Sequence, residues 1–194
     1  MDVTTIIAAI ITAVATIASV LIGKKCMDNK KTVCPISQDT ARSANVYMAL
    51  QYTMDEMGAD RAYVLEFHNG GHYYSGRGQQ KFSCTHEIAE EGISKECGKS
   101  QEHRVSNYHN YINELIQDKD YKYVNINDIS DSSFLSLLNR SGVESIYNIP
   151  IKTLNGKIIG ILGVDYVKKS VDQFNEDDQR LMKGQSKIIA GYLV

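Results

Sequence analysis

The sequence has little charge of either sign to spare: 21 basic and 23 acidic side chains leave a formal net charge of -2 over 194 residues. No basic stripe extends beyond the pairs Lys24-Lys25 and Lys168-Lys169, which read as solvated faces, so no nucleic-acid partner is expected. Cysteine is also scarce. Cys26, Cys34, Cys84 and Cys97 contain no C-x-x-C pair, and a domain of this length does not need disulfides, so reduced thiols are expected. Other signatures are missing too: there is no H-E-x-x-H metal motif, no internal repeat and no low-complexity tract. Gly70, Gly71, Gly76 and Gly78 do not make a phosphate loop, because no G-x-x-x-x-G-K-[ST] is present and no clear helix comes after them.

What is present begins with residues 3–23, VTTIIAAIITAVATIASVLIG, which carry no charge. That is about the 20 residues a helix needs to cross a hydrocarbon core. The Thr and Ser hydroxyls can bond back to the helix's own carbonyls. A cleaved signal peptide would carry its positive charge before a shorter apolar run and offer a small-x-small site; here Met1-Asp2 comes first and the lysines come after. Lys24 and Lys25 also separate the run from Cys26, which argues against a lipoprotein signal. The expectation is a membrane anchor over 1–24. Lys24, Lys25, Lys30 and Lys31 place the remainder in the cytoplasm by the positive-inside rule, as a single-pass inner-membrane protein. Ala9 and Ala13 have the small-xxx-small spacing that can pair two spans.

Residues 25–36 read as a polar juxtamembrane linker and 37–194 as one domain. Ser37 is a candidate cap for a helix ending at Gly58, with Ala44, Tyr47, Met48, Leu50, Met54 and Met57 as its expected buried stripe. A strand over 62–67 is followed by His68-Asn-Gly-Gly71 as an expected turn, then a second strand over 80–86. Residues 88–106 carry no assignable pattern. A helix over 108–117, a short strand over 122–127 and a short helix from Ser132 or Ser133 to Asn139 come next. The last third holds strands over 145–151 and 157–167 joined by Asn155-Gly156, then a helix opened by Asn175-Glu-Asp-Asp178. Local hairpins with segregated helices indicate an α+β domain built on an antiparallel sheet.

In this order the chain resembles the GAF domain, a small-molecule-binding and dimerisation module. The resemblance is carried by Asn125-Ile-Asn-Asp-Ile129, Ser141-Gly-Val143, Asn148-Ile-Pro-Ile151, the run from Asn155-Gly156 to Asp165, and Phe174 to Asp178. It covers about residues 120–180 closely and 37–119 in outline, and it speaks for fold rather than chemistry. It implies a homodimer through the helices at 37–58 and 175–193, with a ligand between the sheet and the intervening helices. GAF domains usually sit beside an output domain, so output here is expected from a partner or the membrane segment. The segment from His68 to Gly78 departs from the family and is similar instead to small proteins of tailed bacteriophages.

By that resemblance Glu66, His68, Asn69, Tyr73, Tyr74, Arg77, Thr85, His86 and Glu87 would line or lid a pocket; the alternative is a plain turn with packed tyrosines. A metal reading rests on Cys84-x-His86, since alternate residues of a regular strand share a face. His68 and His72 would share a face only on a helix, which the intervening glycines oppose. A thiol-enzyme reading takes Cys84 beside His86, with Cys97 as a second thiol. Some GAF-like proteins are methionine sulfoxide reductases with paired cysteines, although the wider motif does not match. Three functions are therefore compatible with the sequence: a membrane-anchored GAF-like regulatory module binding a small ligand or partner; a holin-like lysis, membrane-remodelling or virion structural protein; and a thiol- or metal-dependent enzyme. No cofactor is identified.

Overall fold

The computed structural model describes residues 2–28 and 34–194, which divide into two units, residues 1–39 and 40–194. In the first unit the helix α1 runs from Val3 to Asp28. Its stretch Val3–Ile22 is long and apolar enough to cross a membrane by length and composition, and none of it is buried. The hydroxyls of Thr12, Thr16 and Ser19 donate to the carbonyls of Ala8, Thr12 and Ala15 at 2.8–2.9 Å, so these three polar groups are satisfied within the helix. The helix passes residue 24 and continues into the stretch read as linker. Residues 29–33 of that stretch, with Lys30 and Lys31, lie outside the described residues.

A second helix, α2 (Pro35–Met57), starts on a proline, whose missing N–H costs nothing in a first turn. It ends where Gly58 takes φ +58°, as the sequence suggests. Its buried side is Val46, Ala49, Leu50, Thr53, Met54 and Met57. The expected stripe is therefore out of phase at its N-terminal end: Tyr47 and Met48 are exposed, as is Tyr52.

The second unit is built on a six-stranded sheet in the order β3-β2-β1-β6-β5-β4, antiparallel at every pairing. Its strands are β1 (Arg61–His72), β2 (Gly78–Ala89), β3 (His103–Arg104), β4 (Tyr121–Tyr123), β5 (Ser145–Lys152) and β6 (Ile158–Tyr166). Helices α3 (His109–Ile116), α4 (Ser132–Arg140) and α5 (Glu176–Leu193) complete it, with short 3-10 turns at Val105–Tyr108 and Ile126–Asp128. This is the antiparallel α+β arrangement the sequence indicates.

Period-two alternation in the central strands divides the core. Tyr147, Ile149 and Ile151 of β5 and Leu162, Val164 and Tyr166 of β6 face α2 and α5. Ile146 and Ile161 face the opposite side, where α3 and α4 lie. Each fully buried aliphatic contributes about 1.5–3 kcal/mol to the folded state. The closing helix α5 is secured by a reciprocal cap in which Asn175 accepts from Asp178 N and the Asp178 carboxylate accepts from Asn175 N. Pro150 lies beyond the reach of β4, which covers only Ile146–Asn148 of β5, and its carbonyl accepts from Ser186 of α5 at 2.9 Å.

The hairpin of β1 and β2 runs further than the sequence indicates. His68, Asn69 and Gly70 belong to the strand, and the chain reverses over residues 73–77, where Tyr73 N donates to Arg77 O at 2.9 Å. The expected turn at 68–71 is thus replaced by one a few residues later. Two glycines at the end of a strand are as compatible with an irregular register, seen here between Asn69 and His72, as with a reversal.

Candidate functional site

On the side of the sheet that faces α4 lies a cavity of about 50 Å³. Its floor is Arg61, Tyr63 and Leu65 of β1 with Phe82, Cys84 and Glu87 of β2. The segment joining β2 to β3 supplies Glu96, Cys97 and Ser100, β3 supplies His103, and α4 closes the top through Phe134, Leu137 and Leu138. Beside it the space under the sheet is filled by aromatic rings: Tyr111 stacks on Phe134 with centroids 3.7 Å apart, and Tyr121 meets Tyr111 edge-on at 4.7 Å.

The most buried polar feature of this wall is the pair Arg61–Asp165. Arg61 Nε and Nη2 each lie 2.9 Å from a carboxylate oxygen, while Nη1 reaches Ser94 O at 2.9 Å and Nη2 also reaches Ser141 O at 3.3 Å. One guanidinium therefore joins β1, β6, the β2–β3 segment and the residue that ends α4. Burial pushes the Asp165 carboxyl up to about 6 against the opposing pull of Arg61. For Arg61, burial opposes the charge and the carboxylate outweighs it, so its pKa is raised. Glu87 is also committed: its carboxylate accepts from Glu96 N and Cys97 N at 2.9 Å and pins the β2–β3 segment against the sheet.

His103 differs from these. Its Nδ1 lies 3.2 Å from Tyr108 Oη, while Nε2 is buried and has no protein partner, the one such side-chain atom among the described residues. Burial, with the charge of Arg140 adding to it, holds the imidazole below its ordinary value. It is neutral near pH 7.

The residues singled out in the sequence fall in three places. Glu87, Cys84 and Cys97 line the cavity. His86 turns to the opposite face, where its Nε2 lies 3.2 Å from Ser43 Oγ and its ring meets Tyr47 at 5.1 Å. Glu66 is on that same face by alternation with Leu65, and His68 Nε2 lies 2.9 Å from Ser83 Oγ there. Asn69, Tyr74 and Arg77 are in the exposed outer part of the hairpin, with Arg77 over the ring of half-buried Tyr73 at 4.9 Å. None of Asn69, Tyr73, Tyr74 and Arg77 lines the cavity.

Cys84 and His86 do not share a face. Val64 pairs with His86 and Leu65 with Cys84, which leaves Thr85 as an extra, exposed residue in β2. Such a bulge changes the parity of a strand, so the i, i+2 rule fails across it. Among the described residues no group of three or more His, Cys, Asp or Glu side chains is placed to hold a metal. Burial pushes the Cys84 and Cys97 thiols up, which keeps both protonated and weak as nucleophiles.

Sequence reasoning missed Arg61, Tyr63, His103 and Asp165. Asp165 stands at the end of the run quoted for the resemblance, and an arginine opening a β-rich segment is the available hint of its partner. Two wider depressions exist elsewhere, of about 340 Å³ around Lys152, Lys183 and Lys187 and about 470 Å³ around Ser133, Ser136 and Arg140. The second is the more open of the two.

The domain is thus an antiparallel sheet with a helical pair on one face and a small cavity under helices on the other. The chain belongs to the GAF domain family, whose model matches residues 44–192. Similar solved structures include the blue-light absorbing form of the Thermosynechococcus elongatus PixJ GAF domain, at 13% identity and TM-score 0.62, covering 82% of this chain and 90% of that one. Another is a protein in a far-red absorbing dark state with bound biliverdin IXα, at 12% identity and TM-score 0.57, covering 80% and 97%. A third is the GAF domain region of a Geobacter sulfurreducens protein named as a membrane protein, at 17% identity and TM-score 0.59, covering 81% and 96%. At these identities the likeness is one of fold. No curated protein matches the chain significantly.

Proposed function

We propose that the chain is a membrane-anchored regulatory module: α1 holds it in the bilayer, the domain faces the cytoplasm, and a small ligand in the cavity beneath α4 is what it senses. The observation that carries this reading is the small cavity lined by the Arg61–Asp165 ion pair and by His103, whose Nε2 has no protein partner. A similar structure holds biliverdin in a related fold. Drug-sized ligands occupy roughly 300–1,000 Å³, so at about 50 Å³ this cavity suits a far smaller molecule than a tetrapyrrole. The anchor is supported by Val3–Ile22 and the orientation by the lysines after it.

The same reading makes the protein a homodimer through the outer faces of α2 and α5. Met48, Tyr52 and Ile188 are 63%, 49% and 45% exposed there, more apolar surface than a solvated helix pair needs. The domain comprises residues 37–194, and a fragment of residues 34–194 is expected to fold and stay soluble; insolubility at neutral pH counts against that boundary.

Native mass spectrometry of the full chain released from detergent tests the proposal. A reproducible small excess mass on the protomer, lost when the cavity is filled by Leu138→Trp, supports it. Bare protomers in a large defined oligomer, with loss of membrane potential on expression that depends on residues 3–23, would replace it with the lysis reading.

A further inference from the structure

The composition of the cavity beneath α4 restricts the class of molecule it accepts. Resting on the reading of that cavity as a ligand site, we propose that it selects a neutral molecule of about three or four heavy atoms, with an apolar end and one hydrogen-bonding group held by His103 Nε2.

Size comes first. An apolar cavity of roughly 150 Å³ admits benzene. This one is about 50 Å³, so a six-membered ring does not enter without displacing α4, whereas a short amide or alcohol does.

Charge comes second. Three carboxylates line the cavity, Glu87, Glu96 and Asp165, against a single cation, Arg61. The guanidinium of Arg61 spends four of its five N–H donors on Asp165, Ser94 O and Ser141 O, leaving one Nη1–H to set against the three carboxylates that repel an anion. A cation fares little better, because the Asp165 oxygens are taken by Arg61 and those of Glu87 by two backbone N–H groups. Glu96 itself is engaged by Lys99 at 3.0 Å. Desolvating an ion here would therefore be poorly compensated.

The third element is the anchor. Leu65, Phe82, Phe134, Leu137 and Leu138 provide apolar walls, and His103 Nε2 is the buried side-chain polar atom left without a protein partner among the described residues. The ring is fixed on its other side by Tyr108 and packs against Phe82 at 5.2 Å between centroids. The ring belongs to the lining of the hollow, and Nε2 is a neutral donor or acceptor according to tautomer.

Three isosteres of one shape separate the alternatives: acetamide, acetate and acetamidinium. Full-length protein in detergent, labelled at its histidines, is titrated with each while the His103 imidazole resonances are followed. Acetamide is expected to shift them saturably in the millimolar range, as befits so small a ligand, with acetate and acetamidinium at least about tenfold weaker. His103→Phe, which keeps the ring but removes both nitrogens, is expected to weaken acetamide by about tenfold or more without lowering the melting temperature. If that variant proves unstable, His103→Asn supplies the same comparison.

Equal or tighter binding of acetate or acetamidinium would overturn the inference, as would acetamide binding that His103→Phe leaves unchanged. Failure of acetamide to bind at all overturns it too. A retained mass in native mass spectrometry alongside that failure discards the neutral class and keeps the cavity as a ligand site. Absence of both discards the two readings together.

Discussion

Arg61 and Asp165 are direct cross-strand partners on β1 and β6, and their side chains close a bidentate ion pair with relative exposures of 2% and 6%. A pair so buried is costly to break from one side, because the survivor is left as an uncompensated charge. Arg61→Met is expected to lower unfolding stability by about 3–5 kcal/mol, and Arg61→Met combined with Asp165→Leu to recover much of that loss. Urea denaturation of both variants checks this. A double variant no better than the single one would mean that the links to Ser94 and Ser141 matter more than the charges.

Asp60 governs the chain just beyond this same end of β6. Its carboxylate accepts from the backbone N–H groups of Val167, Lys168 and Lys169 at 2.7–2.9 Å. Burial alone would raise its pKa, but these donors outweigh burial and hold it below the ordinary value. A depressed carboxyl contributes stability that is present above the unfolded-state pKa, about 3.9, and is lost as the pH falls through the lower folded value. Asp60→Ala is expected to cost about 1–3 kcal/mol at pH 7 and less below about pH 3. Denaturant midpoints across that range measure it.

His103 produces a second pH window, at milder acidity. Its folded pKa lies below that of the unfolded chain, near 6.5, so the unfolded state takes up the proton more readily. Stability is intact above about pH 6.5 and declines as the pH drops beneath it. His103→Phe should flatten this segment of the stability curve while leaving the carboxylate-driven loss at lower pH. An unchanged slope between about pH 6.5 and 5 would show that other groups cause it.

Gly184 separates monomer from dimer. A Cβ there meets nothing within 4 Å, and the position lies on the exposed face of α5. In a monomer Gly184→Ala should therefore stabilise the helix by up to about 1 kcal/mol. If α5 meets a second copy, the added methyl lies in the contact and self-association weakens. Sedimentation and thermal melting of the same variant read the two effects apart, and the expected result is a higher melting temperature with a larger dissociation constant.

Much of the architecture was legible in the sequence because it is encoded locally. Asn155-Gly156 announces the β5–β6 reversal, Asn175 with Asp178 announces the start of α5, and Gly58 the end of α2. The cavity was mostly illegible because its parts are brought together over long distances: Arg61 meets Asp165 across 104 positions. His103 lies in a two-residue strand whose place depends on pairing with Lys81 and Phe82, and nothing between 88 and 106 signals that pairing. The bulge at Thr85 was beyond reach for another reason. Alternation alone assigns Cys84 and His86 to one face, and an inserted residue leaves no compositional mark of its own.

Gly163 has consequences beyond its own strand. It lies between Tyr63 of β1 and Asn148 of β5, and a Cβ there would collide with both side chains. Through that opening Tyr63 Oη donates to Asn148 Oδ1 at 2.9 Å, and Asn148 Nδ2 donates to Tyr111 Oη at 2.7 Å. Strands that are not neighbours are thereby riveted through the one between them, and the rivet continues into α3. The middle of the sheet then behaves as a stiff plate. Movement is left to the rim, where α4 and the β2–β3 segment are tied to the sheet through side chains such as those of Arg61 and Glu87.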